Sequence, residues 1–235
     1  MIQFDKAHIG YSDTLISIDD LYLKSGEVHI LVGKNGAGKS TLLKTITKQE
    51  KLLKGDILIN NTSLNVLREN AIAHHLSFVG STFPEIDFMS VIDFIGLGRT
   101  PHTNALGRHS ELDKQKIDDA IAALEIEQLR DKFTSELSDG ERQMVSIARA
   151  IAQETKIILL DEPTAFLDYA NKLKVLNLLK KIAVEMDKCI ILSSHDIELS
   201  IESECPFLVL SKMNNGLTLL FPPVSKQEVI ALAFG

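Results

Sequence analysis

The chain has 235 residues, 45% hydrophobic and 24% charged, the balance of one globular domain large enough to bury a substantial core. Its formal net charge of −7 gives no general attraction to nucleic acid or to an anionic membrane surface, and no nucleic-acid partner is expected. No uncharged apolar stretch approaches bilayer-spanning length, and Met1 to Lys6 lacks the basic region and apolar run of a secretion signal, so any membrane role is expected to pass through a partner.

Residues 1 to about 32 read as short strands, Gln3 to Ile9, Leu15 to Leu23 and Glu27 to Val32, the last two separated by the turn-like Lys24-Ser25-Gly26. Tyr11 follows Gly10 in the first connection. An exposed aromatic there could stack on an adenine ring, although a tyrosine alone is more often core. Gly33 to Thr41 then reads Gly-Lys-Asn-Gly-Ala-Gly-Lys-Ser-Thr and contains G-x-x-x-x-G-K-S, the loop pattern that wraps nucleotide phosphates. Glycines at 33, 36 and 38 permit backbone angles and close approaches that a Cβ blocks. Consecutive N–H groups, with Lys34, Asn35 and Ala37 between those glycines, then converge on one anion. Lys39 adds an ammonium for the β- and γ-phosphates, and the Ser40 hydroxyl is placed to reach Mg²⁺. The apolar run before the loop and the helical Thr41 to Ile46 after it supply strand–loop–helix context, with a helix N-terminus aimed at phosphate. This loop binds nucleotide.

Further on, Gly55 to Ile59 reads as a strand ended by the turn pair Asn60-Asn61, followed by a helical piece from Leu67 to His74 and a strand from Leu76 to Val79. From about Thr82 to Ser138 the composition changes to phenylalanine, proline and glycine mixed with helices, which reads as a helical subdomain inserted into an α/β core. Ser90 is a candidate N-cap for Val91 to Leu97. Ser110, with Asp113 three residues on, opens a helix to about Leu124 whose Leu112, Ile117, Ala120, Ile121 and Leu124 broadly share one face. A helix from about Glu141 to Ala152 precedes the apolar run Ile157 to Leu160, which suits a strand buried on both faces of a parallel sheet. Leu173, Leu176, Leu179, Ile182 and Met186 recur at helical spacing and are assigned to packing. Cys189 to Leu192 is a second buried strand, Phe207 to Leu210 a third, and a capping box from Ser225 to Glu228 opens a last helix. Cys189 and Cys205 form neither a disulfide framework nor a metal spacing, so they read as buried small apolar residues in a reduced, cytoplasmic setting.

Two of these strands end in chemistry. Asp161 and Glu162 close the first, and neighbouring strand residues point in opposite directions, so the two carboxylates can take different tasks. Asp161 is expected to hold Mg²⁺ through its water shell opposite Ser40, and Glu162 to orient or deprotonate water beside the γ-phosphate. His195 follows the second strand and reaches the same sheet edge, where it can contact the γ-phosphate or the attacking water. The other histidines have no such position.

The run Leu137-Ser138-Asp139-Gly140-Glu141-Arg142-Gln143 resembles the signature motif of ABC-type ATPases, usually Leu-Ser-Gly-Gly-Gln. With the phosphate loop, Asp161-Glu162, Phe166-Leu167-Asp168 as the D-loop and His195 as the switch histidine, the chain matches that family in order and spacing over essentially its whole length. The resemblance implies an α/β phosphate-loop NTPase with a mostly parallel core sheet, an N-terminal antiparallel β subdomain and an inserted helical subdomain. Core residues 1–81 and 141–235 would flank a helical subdomain at 82–140 that carries the signature. It implies ATP and Mg²⁺ as cofactors, Tyr11 as the adenine-stacking aromatic, and Lys39, Glu162, Asp168 and His195 as catalytic residues. Ser138 and Gly140 would contact the γ-phosphate held by the partner's loop in a head-to-tail homodimer. Gly98-Arg99-Thr100-Pro101-His102 is similar to stretches in ATPases of bacterial importers for iron–siderophore, heme and cobalamin. The implied partners are a transmembrane permease and, through it, a substrate-binding protein, with the ATPase peripheral on the cytoplasmic face. An exporter, a lipoprotein-releasing system or a soluble ABC ATPase are the rival readings; a soluble one would favour a coiled-coil insertion or tandem domains, which the sequence lacks.

Two positions depart from the family pattern. The glutamine usual after the strand at Leu76 to Val79 falls on Ser81, and no glutamine occurs between Gln49 and Gln115. Serine can hydrogen-bond but has a shorter reach, so the link to Mg²⁺ is expected to be weaker or differently gated. Asp139 stands where glycine is usual, and a carboxylate there is unfavourable near a triphosphate unless it points away.

Overall fold

The computed structural model describes residues 1–235 except 85, 87, 104–106, 166 and 212–214. Period-two burial builds its N-terminal arm. Strands β1 (Ile2–Gly10) and β2 (Thr14–Leu23) pair antiparallel from Ile2↔Leu23 to Gly10↔Thr14, burying Ile2, Phe4, Ile9, Ile16 and Leu23. Strand β3 (Val28–Gly33) is buried at every position and delivers the phosphate loop to helix α1 (Lys39–Ile46). β4 (Leu52–Ile59) pairs with the other edge of β1 and turns through Asn60-Asn61 into β5 (Thr62–Ser63). Both asparagines have positive φ, 48° and 64°, as two-residue hairpin turns require and asparagine tolerates.

A 3-10 turn at Glu69–His74 leads to β6 (Leu76–Val79), after which the chain turns helical: α2 (Val91–Gly96), a 3-10 continuation at Leu97–His102, α3 (Glu111–Ala123) and α4 (Asp139–Ala152). Ser90, Ser110 and Ser138 cap α2, α3 and α4, each accepting from the backbone N–H three residues on. The α/β pattern resumes with β7 (Ile157–Leu160), α5 (Tyr169–Glu185), β8 (Cys189–Ser193), α6 (Ile197–Glu202), β9 (Phe207–Ser211), β10 (Gly216–Leu220) and α7 (Lys226–Phe234).

Among the described residues all strands join one ten-stranded sheet, ordered β5-β4-β1-β2-β10-β9-β3-β8-β7-β6. From β9 to β6 neighbours run parallel; from β5 to β2 they run antiparallel. β10 joins the halves, antiparallel to β9 and bridged to β2 at Gly216↔Ser17. Each core strand feeds both layers: Ile158, Leu160, Ile190 and Leu192 pack on the helical side, Ile157, Leu159, Cys189 and Ile191 against the antiparallel arm and α1.

The sequence does not anticipate β10 or α6. Gly216 to Leu220 are all only partly buried, without alternation, so pairing with β9 rather than periodicity makes the strand. Leu112 is a correction. It is exposed, because it stands five residues before the buried Ile117, about 140° away around α3. Met186 also leaves the packing stripe, lying exposed just past the end of α5.

The Gly98-to-His102 stretch ties the helical region to the far end of α4. A Cβ on Gly98 would stand 2.3 Å from the Arg149 carbonyl oxygen, so only glycine permits this approach. The buried Arg99 donates to Asp113 Oδ1 at 2.9 Å and to the Ala152 carbonyl at 2.7 Å, and reaches Glu154 Oε2 at 3.3 Å. His102 Nε2 lies 3.0 Å from the Gln153 carbonyl oxygen. Asp113 is screened from solvent yet shallow, and its carboxyl is held well below the usual range by the Ser110 hydroxyl and N–H, then by Arg99. Arg149 stacks over Phe94 at 5.0 Å, extending the same junction.

Candidate functional site

The parallel register brings three strand ends together. β8 lies between β3 and β7, with Leu31 opposite Ser193 and Leu192 opposite Leu160, so the phosphate loop, Asp161-Glu162 and His195 leave adjacent carboxyl ends. In open α/β sheets that edge is where ligands bind. A cavity of about 540 Å³ opens there, lined by Tyr11, Asn35, Gly36, Gly38, Lys39, Ser40, Thr41, Glu162 and His195.

Gly36 and Gly38 have φ of +74° and +104°, which a side chain would strain. Gly38 caps α1 without any side-chain bond, leaving the helix's first N–H groups to a ligand. Lys39 is buried and its Nζ donates to the Gly33 carbonyl at 3.0 Å, closing the loop on itself. Burial lowers the Lys39 pKa, while Glu162 and Asp161 act to raise it. An entering anion would restore the stabilisation that burial removes. Tyr11 is 57% exposed, and its hydroxyl lies 3.4 Å from Thr41 Oγ1, so the ring flanks the loop as an open platform.

Asp161 and Glu162 diverge for a reason other than strand alternation. Both lie beyond the last residue of β7, and Glu162 adopts a left-handed φ of +54°. The buried Ser193 hydroxyl accepts from the Glu162 N–H at 2.8 Å and donates to Asp161 Oδ1 at 2.7 Å. Glu162 Oε1 pairs with His195 Nε2. Behind this pair, Lys172 Nζ meets Asp196 Oδ2 at 3.1 Å, joining α5 to the residue after His195. Asp168 caps α5, accepting from the Asn171 N–H at 2.8 Å; Phe166 lies outside the described residues.

The remaining predicted residues stand elsewhere. Ser138 and Gly140 line a separate cavity of about 290 Å³ at the start of α4, so one chain does not bring them to the phosphate loop. Ser138 donates its hydroxyl proton to Glu141 Oε2 at 2.8 Å, and its hydroxyl and backbone hold the Glu141 carboxyl below the ordinary range. The exposed Asp139 lies 3.5 Å from Arg142 Nη1. Ser81 is exposed after β6 and is not among the residues lining the phosphate-loop cavity.

A family model described as ABC transporter matches residues 17–165, more than half of the chain. The chain belongs to the ABC transporter family. It is an ATP-binding, ATP-hydrolysing cassette. An uncharacterized ABC transporter ATP-binding protein of Methanocaldococcus jannaschii is 36% identical over 232 residues, covering 98% of this chain and 80% of the relative. The achromobactin transport ATP-binding protein of Dickeya dadantii is 37% identical over 193 residues, 82% of this chain and 72% of the relative. Among solved structures, a dimeric bacterial ABC transporter cassette aligns at TM-score 0.79 and 26% identity, over 96% of this chain and all of the cassette. A cassette in a post-hydrolysis state bound to ADP and Pi aligns at TM-score 0.78, with 26% identity over 96% of this chain and 100% of that one.

Among these ABC-cassette features, sequence reasoning passes over Ser193. Its only signal is a serine at the end of an otherwise apolar strand, two residues before His195. Among the described residues no helix is long and apolar enough to cross a membrane. The expected burial of both cysteines is met, and burial pushes the Cys189 thiol up to about 12.

Proposed function

We propose that this chain powers an importer of iron–siderophore or related heme- and cobalamin-type cargo, as a homodimer bound beneath a transmembrane permease. The observation that supports the catalytic part is the Glu162–His195 pair facing the phosphate-loop cavity. Lys39 and the loop from Gly33 to Thr41 hold the triphosphate, Tyr11 stacks the adenine, and Glu162, oriented by His195, prepares the attacking water. Asp168 works from the D-loop. The Ser40 hydroxyl and Asp161 are hard oxygen donors that suit Mg²⁺, and Ser193 leaves Asp161 Oδ2 free to accept from the ion's water shell. When bound, the ion neutralises phosphate charge; Ser81 would contribute to it only through water. Ser138 and Gly140 complete the site of the other protomer, which fits their distance from their own loop's cavity.

The importer reading draws on the relatives. Three of them are named for achromobactin transport, petrobactin import in Bacillus anthracis and iron(3+)-hydroxamate import in Bacillus subtilis. A substrate-binding protein on the far side of the membrane follows from that class. The chain then sits peripherally on the cytoplasmic face, with core residues 1–81 and 141–235 and a helical subdomain at 82–140 whose region around Thr82 to Ser110 meets the permease.

Glu162→Gln tests the catalytic assignment. It removes the carboxylate while keeping shape, so hydrolysis is expected to disappear while ATP binding persists and ATP-dependent dimers accumulate. Continued turnover in a preparation free of contaminating ATPase would contradict it.

A further inference from the structure

We propose that Ser193 is the positioning residue that sets the direction of the Glu162 and Asp161 side chains. The inference rests on the proposed role of Glu162. At the end of β7 the chain leaves the sheet in a conformation that side chains rarely adopt, φ +54° at Glu162. Such a backbone persists only where its surroundings over-determine it. Here the Ser193 hydroxyl contributes, beside the Ala165 N–H on the Glu162 carbonyl at 3.2 Å and the Asp161 N–H on the Val79 carbonyl at 2.9 Å. Ser193 is fully buried, and its Oγ accepts the Glu162 N–H at 2.8 Å.

Donor bookkeeping determines the other bond. A serine hydroxyl has a single proton. The Glu162 N–H arrives as a donor, so that proton is available for Asp161 Oδ1, 2.7 Å away. One residue of β8 thus holds the backbone of one carboxylate and the side chain of the other. The same strand end carries His195, whose Nε2 meets Glu162 Oε1. Glu162 is consequently held at both ends, its N–H by Ser193 and its carboxylate by His195, from positions two residues apart. β8 is itself tied to the phosphate-loop strand through the Ser194 N–H on the Leu31 carbonyl at 3.0 Å. A shift of the loop strand therefore reaches Glu162 through Ser193.

Three substitutions separate this role from simple packing. Ser193→Ala removes both bonds. Ser193→Cys fills the space with a weak donor and acceptor. Ser193→Thr keeps the hydroxyl. Turnover of ATP is expected to fall about 10- to 100-fold in the alanine and cysteine variants, the scale of a misplacement of about 1 Å. Affinity for a fluorescent ATP analogue and the thermal midpoint should stay near wild type, and threonine should restore most of kcat. Unchanged kcat in Ser193→Ala overturns the proposal. So does an equal fall in all three variants, or a loss of nucleotide affinity that matches the loss of turnover. Glu162→Gln runs alongside: if it still hydrolyses ATP, the catalytic reading of Glu162 fails; if it is inactive while Ser193→Ala is normal, only the Ser193 inference fails.

Discussion

His29 is the second residue of β3, four residues before the phosphate loop, and is completely buried. Neither ring nitrogen makes a hydrogen bond. Glu27 Oε2 lies 3.2 Å from Nε2, but that carboxylate is a third exposed to water and does not offset the burial. Burial instead lowers the His29 pKa from 6.5 to about 4, only partly opposed by the Ile190 backbone. The sign follows from proton counting. Below pH 6.5 the unfolded chain takes up a proton that the folded chain refuses until about pH 4. The stability linked to the neutral ring is present above pH 6.5 and is lost as the pH falls toward 4. Linkage puts that loss at about 2 kcal/mol at pH 5 and about 3 kcal/mol at pH 4.

His29→Leu replaces the ring with an apolar side chain of similar size and removes this term. Urea unfolding followed by circular dichroism at pH 7.5, 6, 5 and 4 gives the difference between variant and wild type at each pH. Other carboxylates weaken both proteins in acid and cancel in that difference. The variant is expected to gain relative stability by about 2 kcal/mol between pH 7.5 and pH 5. At pH 7.5 it should be no less stable than wild type, because two poorly satisfied buried nitrogens are gone. Parallel pH curves for the two proteins would refute the reasoning and place the acid-labile group elsewhere.

Arg99→Met keeps the volume, leaves the Ala152 carbonyl without its donor and Asp113 with Ser110 alone, so unfolding free energy is expected to drop on the order of 2 kcal/mol. A drop under about 1 kcal/mol in urea titration would show that the Gly98-to-His102 stretch does not hold the junction. Ser81→Gln restores the longer reach usual in the family and is expected to lower the Mg²⁺ concentration for half-maximal ATPase activity, with and without the permease. Indistinguishable Mg²⁺ titrations would remove Ser81 from the account.

What the sequence makes legible is what local chemistry dictates. The phosphate loop is readable because Gly36 and Gly38 sit where the backbone needs positive φ. The caps at Ser90 and Ser110 are readable because each sits directly before a helix, whereas Ser138 reads only as part of the signature and α4 opens at Asp139, two residues before its expected start at Glu141. The apolar runs at Ile157 and Cys189 have no polar face, and they lie between two hydrophobic layers. By contrast β10 exists through β9, and Leu112 misses its stripe by a rotation that a loose pattern cannot detect. Ser193 is invisible for a similar reason. Its partners are more than thirty residues away, and only strand register identifies them.

The two kinds of strained backbone at this sheet edge differ in how they are secured. Gly36 and Gly38 reach positive φ without a side-chain penalty, so the loop needs no outside support to adopt its shape. Glu162 reaches φ +54° with a full side chain and depends on β8 to stay there. On the proposed roles, phosphate binding and water activation would be unequally robust: the first is written into the loop, the second into the packing of the strands. The signature helix shows the same economy. Asp139, where the family usually has glycine, lies along α4 beside Arg142, so its charge is partly balanced within one turn. That exposed pair is worth little in energy, and Ser81 is exposed and outside the described lining of the phosphate-loop cavity.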